Sequence, residues 1–118
     1  MINNKITIDV SQFSEDPWGR DEQDNPISSG AAFRKQYLIE AFNQYDKVIV
    51  DFSKLQDMPD SGFLGESFVG LVKHDGFTYE EVLKKLVVLP QDEFYPITVE
   101  QIITLARDEY KRVNMQGK

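Results

Sequence analysis

Residues 48–71 read VIVDFSKLQDMPDSGFLGESFVGL, and this stretch decides the fold. Val48, Ile49 and Val50 are three consecutive β-branched residues, which predict a strand covered on both faces in the middle of a sheet. Asp51 stands at its end, and Lys54 to Asp60 reads as a turn with Pro59 near its close. From Ser61 the period lengthens: Phe63, Leu64, Phe68, Leu71 and Val72 recur at helical spacing and predict a helix from about Ser61 to Lys73. Serine is a preferred residue at a helix N-cap, so Ser61 is expected to accept a hydrogen bond from a first-turn N–H. Gly76 can take the left-handed conformation that stops such a helix.

Upstream, Ile6, Ile8 and Val10 alternate with Thr7, Asp9 and Ser11, a period of two that predicts a half-buried strand over 6–10. The pattern stops after Phe13. The loop over 13–29 holds Glu15, Asp16, Asp21, Glu22 and Asp24 against one base, Arg20, with room for a short strand or hairpin. Loops of this length are commonly functional or disordered. A helix over 30–44 follows, capped by Ser28 or Ser29, with Phe33, Tyr37, Leu38, Ala41, Phe42 and Tyr45 as its apolar stripe. Downstream, Thr78 and Glu81 form a capping box for a helix over 79–85, and Leu86 to Leu89 is a strand closed by Pro90. Thr98 and Gln101 suggest a second box opening a helix over 98–113. Alternating strands and helices give an α/β fold: a single domain over 1–118, a small mixed sheet with helices packed on it. The expected core is Val48, Ile49, Val50, Phe52, Leu64, Phe68, Leu71, Leu83, Val88, Ile102 and Ala106.

Composition excludes several functions. The 118 residues carry 20 acidic and 13 basic side chains, a formal charge of −7. Binding built on phosphate contacts needs a basic surface, so neither nucleic acid nor an anionic membrane is an expected partner. Apolar runs are far shorter than the ~20 residues that span a bilayer. No apolar segment follows Met1-Ile2-Asn3-Asn4-Lys5 as in a signal peptide, so a cytoplasmic protein is expected. There are no cysteines and one histidine, His74, which excludes thiolate and two-histidine metal sites. No calcium-loop, phosphate-loop, dinucleotide or nucleophile-elbow pattern occurs, so no metal, no cofactor and no catalysis are expected. His74 fits the C-terminal end of a helix, where a cation is favoured.

The strand ending in Asp51, followed by Asp60-Ser61 at the start of a helix, resembles the STAS fold of bacterial anti-sigma-factor antagonists. Phe13, Ser14, Pro17, Gly19, Arg20, Ser29, Gly30, Phe33 and Arg34, with the Ser-x-Phe-Leu-x-Glu-x-Phe-x-Gly-Leu run from Ser61 to Leu71, are similar to the bacterial STAS-like family of unknown function, the DUF4325 group. The resemblance runs from about Phe13 to the last helix. It implies a STAS-like fold and, through the antagonists, partner switching. In that scheme an ATP-dependent kinase of histidine-kinase-like fold is bound, phosphorylates the serine at the helix start and is thereby released. The sequence departs from the antagonist pattern at Gly62, where a second serine is usual, and at Phe63, where a glycine is usual.

Ser61 therefore has two readings, a helix cap and a regulatory phosphorylation site, with Asp60, Gly62, Arg20, Trp18 and Asp51 as candidate interaction residues. Arg20 either binds an anion or orders its loop by pairing with Asp16, Asp21 or Asp24. Trp18, the sole tryptophan, either packs over the sheet edge or anchors an interface. The leading expectation is a non-catalytic signalling module that binds a protein partner around Ser61 and the acidic loop. The alternative is a small anion- or nucleotide-binding domain, or an enzyme, built on Arg20 and the helix N-terminus at Ser61. An acidic decoy of nucleic acid is disfavoured by the 13 interspersed bases.

Overall fold

The computed structural model describes residues 4–116. β1 (Lys5–Asp9), β2 (Lys47–Asp51) and β3 (Leu86–Leu89) form a sheet in the order β1-β2-β3. In register, Thr7 faces Ile49, which faces Val87. The sequence suggests a mixed sheet, but both ladders are parallel. The reason is topological: helical crossovers between successive strands carry the chain back to the same end of the sheet.

The helical elements are α1 (Val10–Phe13), α2 (Gly30–Phe33), a π-helical turn (Arg34–Leu38), α3 (Ile39–Gln44), α4 (Ser61–Asp75), α5 (Tyr79–Lys85) and α6 (Tyr95–Gln116). α2, the π-turn and α3 run on as the helix expected over 30–44. β1 stops one residue early because the Asp9 carboxylate accepts hydrogen bonds from the Ser11 N–H (3.0 Å) and hydroxyl (2.7 Å), capping α1 and turning Val10 into the core. The capping box at α5 is present: Thr78 accepts from the Glu81 N–H and Glu81 from the Thr78 N–H. The second box is not. α6 begins at Tyr95, where Asp92 accepts from the Phe94 and Tyr95 N–H groups, so Thr98 already lies inside the helix. Gly76, at φ 87°, closes α4 as expected.

The core lies on one side of the sheet. Val48, Val50, Phe52, Leu64, Phe68, Leu71 and Val88 are buried there, joined by Phe33, Phe42, Phe63, Val99 and Ile103. Leu83, Ile102 and Ala106 pack at its rim. Ile49 corrects the expectation of a strand covered on both faces. Burial alternates along β2, and Ile49 points with Lys47 and Asp51 to the side away from the core. Thus the run of β-branched residues marks a central strand, but only its even-numbered members are buried.

Candidate functional site

The 13–29 loop is ordered by its own hydrogen bonds and contains no strand or hairpin. Its ends are held together by aromatic packing: Phe13 lies 5.2 Å from Phe33 and 6.4 Å from Phe63, ring centre to centre, and Phe33 stacks on Phe63. The Trp18 N–H donates to the Ser28 carbonyl, and the Asn25 amide donates to the Trp18 carbonyl. The carbonyls of Gly19 and Arg20 accept from the N–H groups of Gly30 and Ala31, while Ser29 accepts from Ala32. The first turn of α2 is therefore fully satisfied. Gly19 takes a φ of +85°, which a side chain would resist.

One contact carries this loop onto α4. The Gly19 N–H donates to Asp60 Oδ1 at 3.0 Å. Asp60 is the N-cap of α4 by its backbone, yet its carboxylate is turned to the loop rather than to the helix. Ser61 is consequently the first helical residue and not the cap, correcting the sequence reading. Its side chain is exposed and its hydroxyl makes no hydrogen bond among the described residues. The N–H groups of Ser61, Gly62 and Phe63 likewise have no acceptor among the described residues, leaving the positive end of a fifteen-residue helix open.

Ser61 opens onto a cleft of 630 Å³. Its floor is the face of α4 bearing Gly62, Gly65, Glu66, Val69 and Gly70; Arg20 and Asp24 of the loop form one wall, and Ile102 and Ala106 of α6 the other. Arg20 forms no ion pair with Asp16, Asp21 or Asp24. The Asp24 carboxylate instead accepts from the Arg20 backbone N–H at 2.9 Å, and the side chain extends over Gly62. A Cβ at position 62 would lie 3.1 Å from both Arg20 Cγ and Asp60 Oδ2. The glycine that breaks the antagonist pattern thus makes room for the arginine. Lys73 also lines the cleft without an ion pair among the described residues.

Of the other sequence candidates, Asp51 is not at this cleft. It accepts from the Ser53 N–H at 2.8 Å in the turn after β2. Trp18 is 46% exposed and does not line the cleft.

Arg34, which the sequence alone gives no role, sits among the residues of the family resemblance. It is 3% exposed beneath the cleft. Nη1 lies 2.8 Å from Glu66 Oε2 and donates to the Glu66 carbonyl at 2.9 Å; Nε lies 2.8 Å from Asp75 Oδ2 as a close ion contact rather than an aligned hydrogen bond. His74 Nε2 stands 3.6 Å from Glu66. Gly30 and Gly70 allow the approach: a Cβ at Gly30 would lie 2.5 Å from the Phe63 carbonyl, and one at Gly70 would overlap the Arg34 guanidinium. The signal in the sequence was the pairing of small residues with Arg34 and Glu66 across two helices, visible only once their register is known.

A parallel sheet with helices on one side, and a helix N-terminus open beside a loop, define a small α/β module with its polar cleft at the first turn of α4. The chain belongs to the STAS-like domain family of unknown function, DUF4325, whose model matches residues 29–90. The match begins at Ser29, the α2 cap, and spans Arg34, the cleft floor and all of β3. No curated protein and no solved structure matches the chain. No helix among the described residues is long and apolar enough to cross a membrane, and no cluster of potential metal ligands occurs among them.

Proposed function

We propose that this chain is a non-catalytic regulatory module that binds a protein partner across the α4 N-terminus and the acidic loop, with Ser61 as a phosphorylation switch worked by a histidine-kinase-like ATPase. The observation that carries the reading is the state of Ser61: an exposed hydroxyl with no hydrogen bond among the described residues, on the first turn of a helix whose N-cap side chain bonds elsewhere. A phosphate attached there meets three free N–H groups and the positive end of the helix, with Arg20 beside Gly62, so the domain accepts it without unfolding. It adds about −1.5 to −2 charge to a surface that already carries Asp24, Asp60 and Glu66, enough to expel an acidic partner face.

The unpaired Arg20 and Lys73 favour a second reading, a pocket for a small anion. Asp24, Asp60 and Glu66 line the same cleft, however, and even with Arg34 paired to Glu66 beneath it no net positive charge is left to draw in a free polyanion such as a nucleotide. A phosphate covalently held at Ser61 does not depend on that association. Incubation with the ATPase and ATP, followed by mass spectrometry, tests the switch: phosphate on Ser61 supports it, and an unmodified Ser61 beside an active kinase rejects it.

A further inference from the structure

We propose that the side of the sheet facing away from the core is a self-association surface, on which a second copy of this chain packs with its strands antiparallel to the first. Thr7, Ile49 and Val87 form a row across the middle of that face, in register on three strands. Thr7 is exposed, and Ile49, Val87 and Leu89 take no part in the core. Ile49, Val87 and Leu89 are only partly covered, while every helix contributes to the core on the opposite side of the sheet, so this side is open to pack against another sheet.

The charges choose the occupant. On the same face Lys5 pairs with Lys47 at one end of the strands, and Asp9 with Asp51 at the other. A two-fold axis lying between the sheets, perpendicular to the strands, sets Ile49 against Ile49 of the second copy, and each lysine end over the opposite aspartate end. Such an interface is isologous and self-complementary. Elsewhere the chain carries a charge of −7 and repels itself, whereas these four strand residues sum to zero. Local contacts blunt the pattern without reversing it: Lys54, 3.2 Å from Asp9, offsets one of the two aspartates, whereas Lys47, donating to the Lys84 carbonyl, and Asp51, accepting from the Ser53 N–H, keep their full charge. Three strands about 4.8 Å apart, two of five residues and one of four at about 3.3 Å each, give a small footprint, well below the roughly 800 Å² per partner of a stable complex. The dimer is accordingly of the weak, concentration-dependent class.

Sedimentation velocity on the whole chain, over a dilution series up to millimolar protein, tests this, with amide chemical shifts recorded over the same series. The weight-average sedimentation coefficient is expected to rise with concentration, shifts to move on Thr7, Ile49 and Val87, and added salt to weaken the association. Ile49→Lys places like charges on the axis and should abolish it. Lys5→Glu, at an exposed position that folding does not depend on, should weaken it at least tenfold. A wild-type chain that stays monomeric throughout overturns the proposal. So does association that both variants retain, or shift changes confined to the α4 cleft.

Discussion

Gly70→Ala offers a test of the buried Arg34 hub because two effects of opposite sign meet there. In an ordinary helix interior the change stabilises by about 1 kcal/mol, since alanine loses less backbone freedom than glycine. Here the new Cβ would overlap Arg34 Nη1 and lie 3.1 Å from Cδ and Cζ. The guanidinium cannot swing aside cheaply, because Glu66 and Asp75 hold it on two sides at 2.8 Å. Breaking a buried ion pair costs about 3–5 kcal/mol. The carboxylates are 23% and 16% exposed and water recovers part of that loss, leaving about 2–3 kcal/mol. The net expectation is destabilisation by about 1–2 kcal/mol, a fall in Tm of roughly 4–8 °C for a domain of this size. In an Arg34→Met background the obstacle is gone and the same change should stabilise by about 1 kcal/mol. Urea unfolding of the four proteins closes the cycle, with a coupling of about 2–3 kcal/mol between the two positions. Equal effects of Gly70→Ala in both backgrounds would refute the packing argument.

Three further outcomes are expected, two at the α4 N-terminus and one at the caps of α1 and α6. Ser61→Ala should leave stability within about 0.5 kcal/mol of wild type, since the exposed hydroxyl caps nothing; a loss near 1 kcal/mol in thermal unfolding would restore it to the cap. Asp60→Ala removes the acceptor of the Gly19 N–H and should cost about 1 kcal/mol, with hydrogen exchange accelerated at Gly19 and Arg20 but not at α5. The Asp9 and Asp92 carboxyls lie below the usual carboxylate range, Asp9 chiefly through the Ser11 hydroxyl and Asp92 through the Tyr95 N–H. Their contribution is complete above the unfolded value near pH 4 and is lost as pH falls through the folded values, so an Asp9→Asn/Asp92→Asn chain should show a flatter acid limb of stability against pH.

The β2–α4 unit was legible because its signals are local. β-branched residues, the change of period at Phe63 and the Gly76 stop all lie within a few residues of the boundaries they set. Where the reading failed, a distant partner decided. Asp60 is the N-cap residue of α4, but Gly19, forty-one positions away, takes its carboxylate, and Ser61 lies inside the helix. Arg20 had acidic neighbours in its own loop, yet Asp24 went to its backbone N–H and freed the guanidinium for the cleft. Ile49 matched a two-sided strand because composition reports a central strand without reporting which face the helices choose. Arg34 could not be assigned without the register of α4, since Glu66 and Asp75 lie thirty and more residues away and nine apart.

In the proposed function, the charge on Ser61 governs what this surface binds. The most direct measurement compares two immobilised forms of the whole chain, unmodified and carrying phosphoserine at position 61, by quantitative mass spectrometry of the proteins each retains from the native cell extract. Circular dichroism should show both forms equally folded, because an open helix N-terminus accommodates phosphate. A partner set held by the unmodified chain and lost by the phosphorylated one is expected. Equal retention of every protein by the two forms would contradict it and leave Ser61 an exposed serine on the first turn of α4.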